Sequence, residues 1–208
     1  YAPFVLVFVF FFSFWLLKYQ KTRVVRLSSP PFMQQILFGA SLSILTIIPL
    51  GIQDGGILAS SGMLLDAACA SIPFLFSMGT CITHGALMLK TWRISRIFNN
   101  PKLKTVNLPD KKLLYYEGIF LSIVLIVNII WCATYPLHWV RKVIDYNDDG
   151  SARSSVGSCQ SEYSTLFLIL LAILIASSLF YGNYLAYKTR NVPDEFAEGK
   201  WIAISLMV

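Results

Sequence analysis

The stretch Asp145-Tyr146-Asn147-Asp148-Asp149-Gly150 spaces side-chain oxygens and a glycine as the opening of an EF-hand calcium loop does. The loop then fails. Its ninth position is Arg153, and its twelfth, where a bidentate Glu belongs, is Val156. A solvated acidic turn is the expectation, and no metal is implied. HExxH, phosphate-loop, GxSxG and paired-cysteine zinc patterns are absent, as is any Asn-x-Ser/Thr acceptor, so neither an enzyme nor a cofactor has a motif to rest on. The chemistry left is that of charge and thiols. Lys90, Arg93 and Arg96 recur every third residue, residues 187–201 (YKTRNVPDEFAEGKW) mix basic and acidic side chains, and four cysteines are spread along the chain.

What must position these groups is apolar. Of the 208 residues 56% are hydrophobic and 13% charged, and mean hydropathy is +0.62. A soluble domain carries about 25% charge. The composition predicts a membrane protein. The net charge of +6 lies in short clusters flanking apolar runs and not on one basic face, which argues against nucleic acid and for membrane topology. Apolar runs of transmembrane length fall at 2–17, 32–50, 67–90, 113–135 and 163–187, with a sixth starting at 200 and incomplete at 208. The first apolar run is followed, not preceded, by positive charge and has no small-residue cleavage site, so it reads as a stop-transfer helix and not a signal peptide. The expected fold class is all-α, a polytopic transmembrane helical bundle, with residues 1–208 read as part of a longer chain.

Charge sets the orientation. Fourteen of the 17 Lys and Arg residues fall after the first, third and fifth spans; the other side holds only Arg141, Lys142 and Arg153. The positive-inside rule makes the richer side cytoplasmic and the N-terminal side extracellular. Cys69 and Cys159 then lie together on the oxidising side, and a disulfide between them is the expectation; Cys132, near the same end of the fourth span, is the rival partner, and two free thiols the bland alternative. Cys81 falls mid-bilayer as a packing residue. Asn128 and Asn183 read as interhelical hydrogen-bond donors, His84 as an intramembrane group more suited to structure than to function, and Gly79, Gly85 and Gly182 as points of close helix approach.

Two segments at the basic side carry a resemblance: ALMLKTWRISRIF (86–98) and LAYKTRNVPDEFAEGK (185–200). Together they resemble class C (family 3) G-protein-coupled receptors, the seven-helix family of the metabotropic glutamate and GABA-B receptors. WCATYPLH (131–138) looks like the GABA-B branch, whereas the short third inner loop with Pro193 looks more like the glutamate branch. The resemblance runs along essentially the whole chain, which it implies is truncated within helix six.

The resemblance implies a transducing module at the plasma membrane, working as a homo- or heterodimer that relays an extracellular small-molecule signal to a heterotrimeric G protein. It also implies an inner-face ion pair, Lys90 with Glu198, although Asp194, Glu195 or lipid headgroups are alternative partners for Lys90. Arg93, Arg96, Lys102, Lys104, Lys188 and Arg190 would face the G protein or anionic lipid, and Pro193 would end helix five in a tight turn. The rival class is a transporter or channel subunit, which would want polar groups lining a mid-bilayer path; a receptor-like protein without signalling is the third reading.

Overall fold

The computed structural model describes residues 2–22, 25, 29–52, 62–98, 110–146 and 152–189. These form α1 (Ala2–Tyr19), α2 (Pro30–Leu45) with a further short helix at Ile47–Leu50, α3 (Gly62–Phe98), α4 (Asp110–Thr134), strands β1 (His138–Tyr146) and β2 (Ala152–Gln160), and α5 (Ser164–Lys188). Glu198, Arg190, Pro193, Lys102, Lys104 and the sixth span lie outside the described residues.

Four segments are long and apolar enough to cross a membrane: Pro30–Leu50, Gly62–Arg93, Lys112–Thr134 and Ser164–Lys188, with the shorter apolar helix Pro3–Tyr19 beside them. Helix is the expected answer for such runs, because hydrocarbon offers no partner to an unpaired backbone N–H or C=O. The helices also carry large apolar side chains outward, among them Phe8, Phe11, Ile126, Ile129 and Ile173. In water such a surface would aggregate; against lipid it is the solvated face.

Helix α3 is the axis of the bundle, touching α2, α4, α5 and β1, while α1 packs on α2. Near the middle of the α2–α3 crossing two glycines face each other. A Cβ on Gly39 would lie 2.8 Å from the carbonyl oxygen of Gly79, and one on Gly79 would lie 2.6 Å from the backbone nitrogen of Ser43. Backbone therefore meets backbone, which only glycine permits. Further along, Asn128 Nδ2 donates to Ser77 Oγ at 3.0 Å and to the Val124 carbonyl at 2.8 Å, tying α4 to α3 as the sequence leads one to expect. Two apolar clusters complete the core. One gathers Cys81, Val124, Trp131, Phe167 and Leu171, with the Trp131 and Phe167 rings stacked at 5.4 Å; the other gathers Phe32, Ala86, Leu89 and Leu113.

The mostly helical bundle agrees with the expected class, and one element adds to it. The connection from α4 to α5 is an antiparallel hairpin with Trp139 opposite Cys159 and a bulge near Asp145. Arg153 and Val156, the residues that spoil the calcium loop, sit in β2. Among the described residues no cluster of three or more metal-ligating side chains occurs.

Candidate functional site at the two ends of helix α3

At the hairpin end, α3 presents Asp66 and Cys69 three residues apart on one helix face, and each seizes one strand. Cys69 is disulfide-bonded to Cys159 on β2. Asp66 takes β1: its Oδ1 accepts the Trp139 backbone N–H at 2.7 Å and its Oδ2 lies 3.0 Å from His138 Nδ1. Because Trp139 and Cys159 are register partners, both tethers act on the same rung of the hairpin. The Trp139 ring lies over Gly157, where any Cβ would collide with it. Ser161 Oγ donates to the Tyr135 carbonyl at 2.8 Å and closes the base. Cys132, the rival partner, is a free exposed thiol, and Cys81 is free and buried.

At the opposite end the three basic residues of α3 have different fates. Lys90 and Arg93 are half-buried and Arg96 is exposed. Arg93 Nη1 donates to Ser29 Oγ at 3.0 Å, so this guanidinium holds the start of α2. Ser29 needs holding: at φ 57° it occupies the left-handed region, uncommon for a residue with a side chain, immediately before the Pro30-Pro31 start of the helix. Arg96 instead lies over the Trp92 ring at 5.4 Å, and Trp92 meets Tyr116 of α4 edge-on at 6.4 Å. Lys112 of α4 and Lys188 of α5 are exposed at the same end. Of the expected basic face, Arg96 and Lys188 present themselves outward and Arg93 is engaged within the bundle. The partner acid Glu198 belongs to the residues outside the description.

The arrangement is a rod running through a membrane bundle, fastened to a disulfide-held hairpin at one end and ending in cations at the other. The sequence matches, over residues 2–208, the family described as "7 transmembrane sweet-taste receptor of 3 GCPR". The chain belongs to this class C G-protein-coupled receptor family. Among its relatives, it is 29% identical over 203 residues to Gamma-aminobutyric acid type B receptor subunit 2 of Homo sapiens, covering 94% of this chain and 21% of that receptor. It is 29% identical over 189 residues to Metabotropic glutamate receptor-like protein E of Dictyostelium discoideum, covering 88% and 21%. To the Gamma-aminobutyric acid type B receptor subunit 2 of Caenorhabditis elegans it is 26% identical over 193 residues, covering 91% and 22%. The chain thus spans about a fifth of the length of the curated relatives it matches. A class C transmembrane domain, and not a transporter, is the reading this similarity favours.

Two features of the site escaped the sequence reading. The hairpin has a signal in the β-branched and alternating run HWVRKVIDY ahead of the acidic residues Asp148 and Asp149 and Gly150. Glu117, a buried acid inside the fourth span, has an equally plain one: it is the sole carboxylate between residues 113 and 135.

Proposed function

We propose that this chain is the transmembrane relay of a GABA-B-like class C receptor. It sits in the plasma membrane as a homo- or heterodimer, with the hairpin end extracellular and the basic end facing a heterotrimeric G protein. It carries a small-molecule signal received outside the bundle and catalyses no reaction. The observation that carries this reading is the continuity of α3 from Cys69, bonded to the hairpin, to Lys90, Arg93 and Arg96. A displacement of the hairpin has a direct mechanical route to the cations.

In this proposal Lys90 pairs with Glu198 in the resting state, Pro193 turns the chain between helices five and six, and Arg96, Lys102, Lys104, Lys188 and Arg190 form the face that meets the G protein. The switch needs little energy. An exposed ion pair contributes about 0 to 1 kcal/mol, and a conformational gap of a few kcal/mol is enough to hold a receptor mostly off.

Nucleotide exchange on a G protein, measured with the full-length receptor in membranes, tests the reading. Lys90→Glu and Glu198→Lys are each expected to raise basal exchange, and the double reversal to restore quiet. No rescue in the double variant refutes the pair, and no exchange under any condition refutes the relay.

A further inference from the structure

Glu117 is 3% exposed on α4, in the part of the bundle where α2, α3 and α4 pack together. Its carboxyl lies against the α3 backbone: a Cβ on Gly85 would sit 2.5 Å from Oε1. The neighbouring positions in each helix belong to an apolar cluster: Ile36 beside Gln35 on α2, Ala86 beside Gly85 on α3, and Leu113 one turn before Glu117 on α4. The hydrogen-bonding group that faces the carboxyl is the side-chain amide of Gln35 on α2. Neither carboxyl oxygen reaches full hydrogen-bonding geometry, and Gln35 Oε1 is likewise buried with no partner.

The inventory of donors and acceptors decides the chemistry. An ionised carboxylate has acceptors only, so with Gln35 it shares a single donor group, the amide Nε2, and leaves Gln35 Oε1 with nothing. An unpaired charge in hydrocarbon is also the most costly arrangement available to the site. One added proton reverses both defects. The carboxyl O–H donates to Gln35 Oε1 while Gln35 Nε2 donates to the remaining carboxyl oxygen, closing two reciprocal hydrogen bonds after a turn of the amide, whose O and N positions are set only by their partners.

We propose that Glu117 is a proton-binding site of the bundle: a neutral carboxylic acid that forms a closed acid–amide joint with Gln35, linking α2 to α4 across the side-chain-free face of α3 at Gly85. Among the described residues, the other ionisable groups of this region are His84, beside Gly85 with its Nδ1 buried and without a partner, and, towards the basic end, Lys90 and Arg93 of α3 and Lys112 of α4. Gly85 is the enabling feature, since any larger residue would displace the carboxyl from its seat. Removing the proton from Glu117 breaks one bond of the joint and leaves a charge among apolar side chains, so opening of the α2–α4 contact and deprotonation are one event.

The test uses full-length receptor in lipid nanodiscs at neutral pH. Infrared spectra are expected to show a protonated-carboxyl C=O stretch in the wild type that is missing from Glu117→Gln, and Glu117→Gln is expected to keep the wild-type melting temperature, because glutamine also pairs reciprocally with Gln35. Gln35→Leu is expected to lower that temperature by on the order of 4 °C, and adding Glu117→Leu to recover most of the loss. Three outcomes overturn the proposal: no such infrared band, a Glu117→Gln protein that fails to fold or melts as early as Gln35→Leu, or a melting temperature raised by sodium over choline chloride in the wild type alone, which would make the site one for a cation. None of these readouts depends on G-protein coupling.

Discussion

The glycine pair at the α2–α3 crossing offers the sharpest test of how the bundle is held together. In Gly79→Ala the new methyl would lie 2.6 Å from the Ser43 backbone nitrogen and 2.8 Å from the Gly39 carbonyl oxygen. Both obstacles are backbone, so no rotamer change relieves them. Reaching an ordinary contact of 3.4 Å requires the helices to part by 3.4 minus 2.6, about 0.8 Å. A gap of that size forfeits about a quarter to a half of the dispersion energy of each contact along the seam, and overpacked sites typically cost about 1 to 3 kcal/mol. Gly118, on α4, is the internal control. Nothing lies within 4 Å of its Cβ position, so Gly118→Ala removes a flexible residue from a helix at no steric cost and should stabilise by about 0.5 to 1 kcal/mol. The assay is thermal unfolding followed by a thiol-reactive dye, for which the buried Cys81 thiol is the reporter and the exposed Cys132 the constant background. The expectation is that the same chemical change lowers the melting temperature at residue 79 and leaves it equal or higher at 118. Equal effects at the two positions, or no loss at 79, would refute the close-contact argument.

Alkylation without reductant should label Cys132 readily and Cys69 and Cys159 not at all, read by peptide mapping. Cys69→Ser should destabilise by less than the roughly 4 kcal/mol that chain entropy assigns to a loop of this length in water, because membrane insertion already restricts the unfolded chain. Asp66→Ala removes both acceptors from β1, and amides of the hairpin base should exchange with deuterium several-fold faster while the helices keep their protection. Asn128→Leu should cost about 0.6 kcal/mol, the usual worth of an intramembrane hydrogen bond, and Ser77→Ala combined with it should add almost nothing, as a double-mutant cycle in melting experiments will report.

What the sequence yields here follows from what a bilayer demands. Spans and helices are legible because hydrocarbon forces long apolar runs into internally bonded helices. Topology makes Cys69–Cys159 the expected bond by placing both thiols on one side, but it puts Cys132 there too, and only the fold separates the two partners. The hairpin is not legible by that route. A strand pair outside the bilayer answers to cross-strand partners, and the anchors that fix it, Asp66 to Trp139 and Trp139 against Gly157, join residues far apart in the chain. The basic end shows the same limit on a finer scale. Lys90, Arg93 and Arg96 read alike as charges at helical spacing, yet Arg93 is drawn in by the left-handed Ser29 and Arg96 by the Trp92 ring, and neither contact has a periodicity to betray it. Glu117 is the opposite case: its position in a span was plain, but its seat against Gly85 and its partner Gln35 come from three different helices.

The bond between Cys69 and Cys159, 90 residues apart, also changes the topology of the chain as a molecule. It closes a covalent macrocycle that contains most of α3, all of α4 and most of the hairpin, with α1 and α2 leaving as one tail and α5 as the other. A protease that nicks the lysine-rich connection between α3 and α4 opens this ring without dividing the protein. The two pieces part only when a reductant is added, so a receptor clipped there migrates as intact until its disulfide is broken.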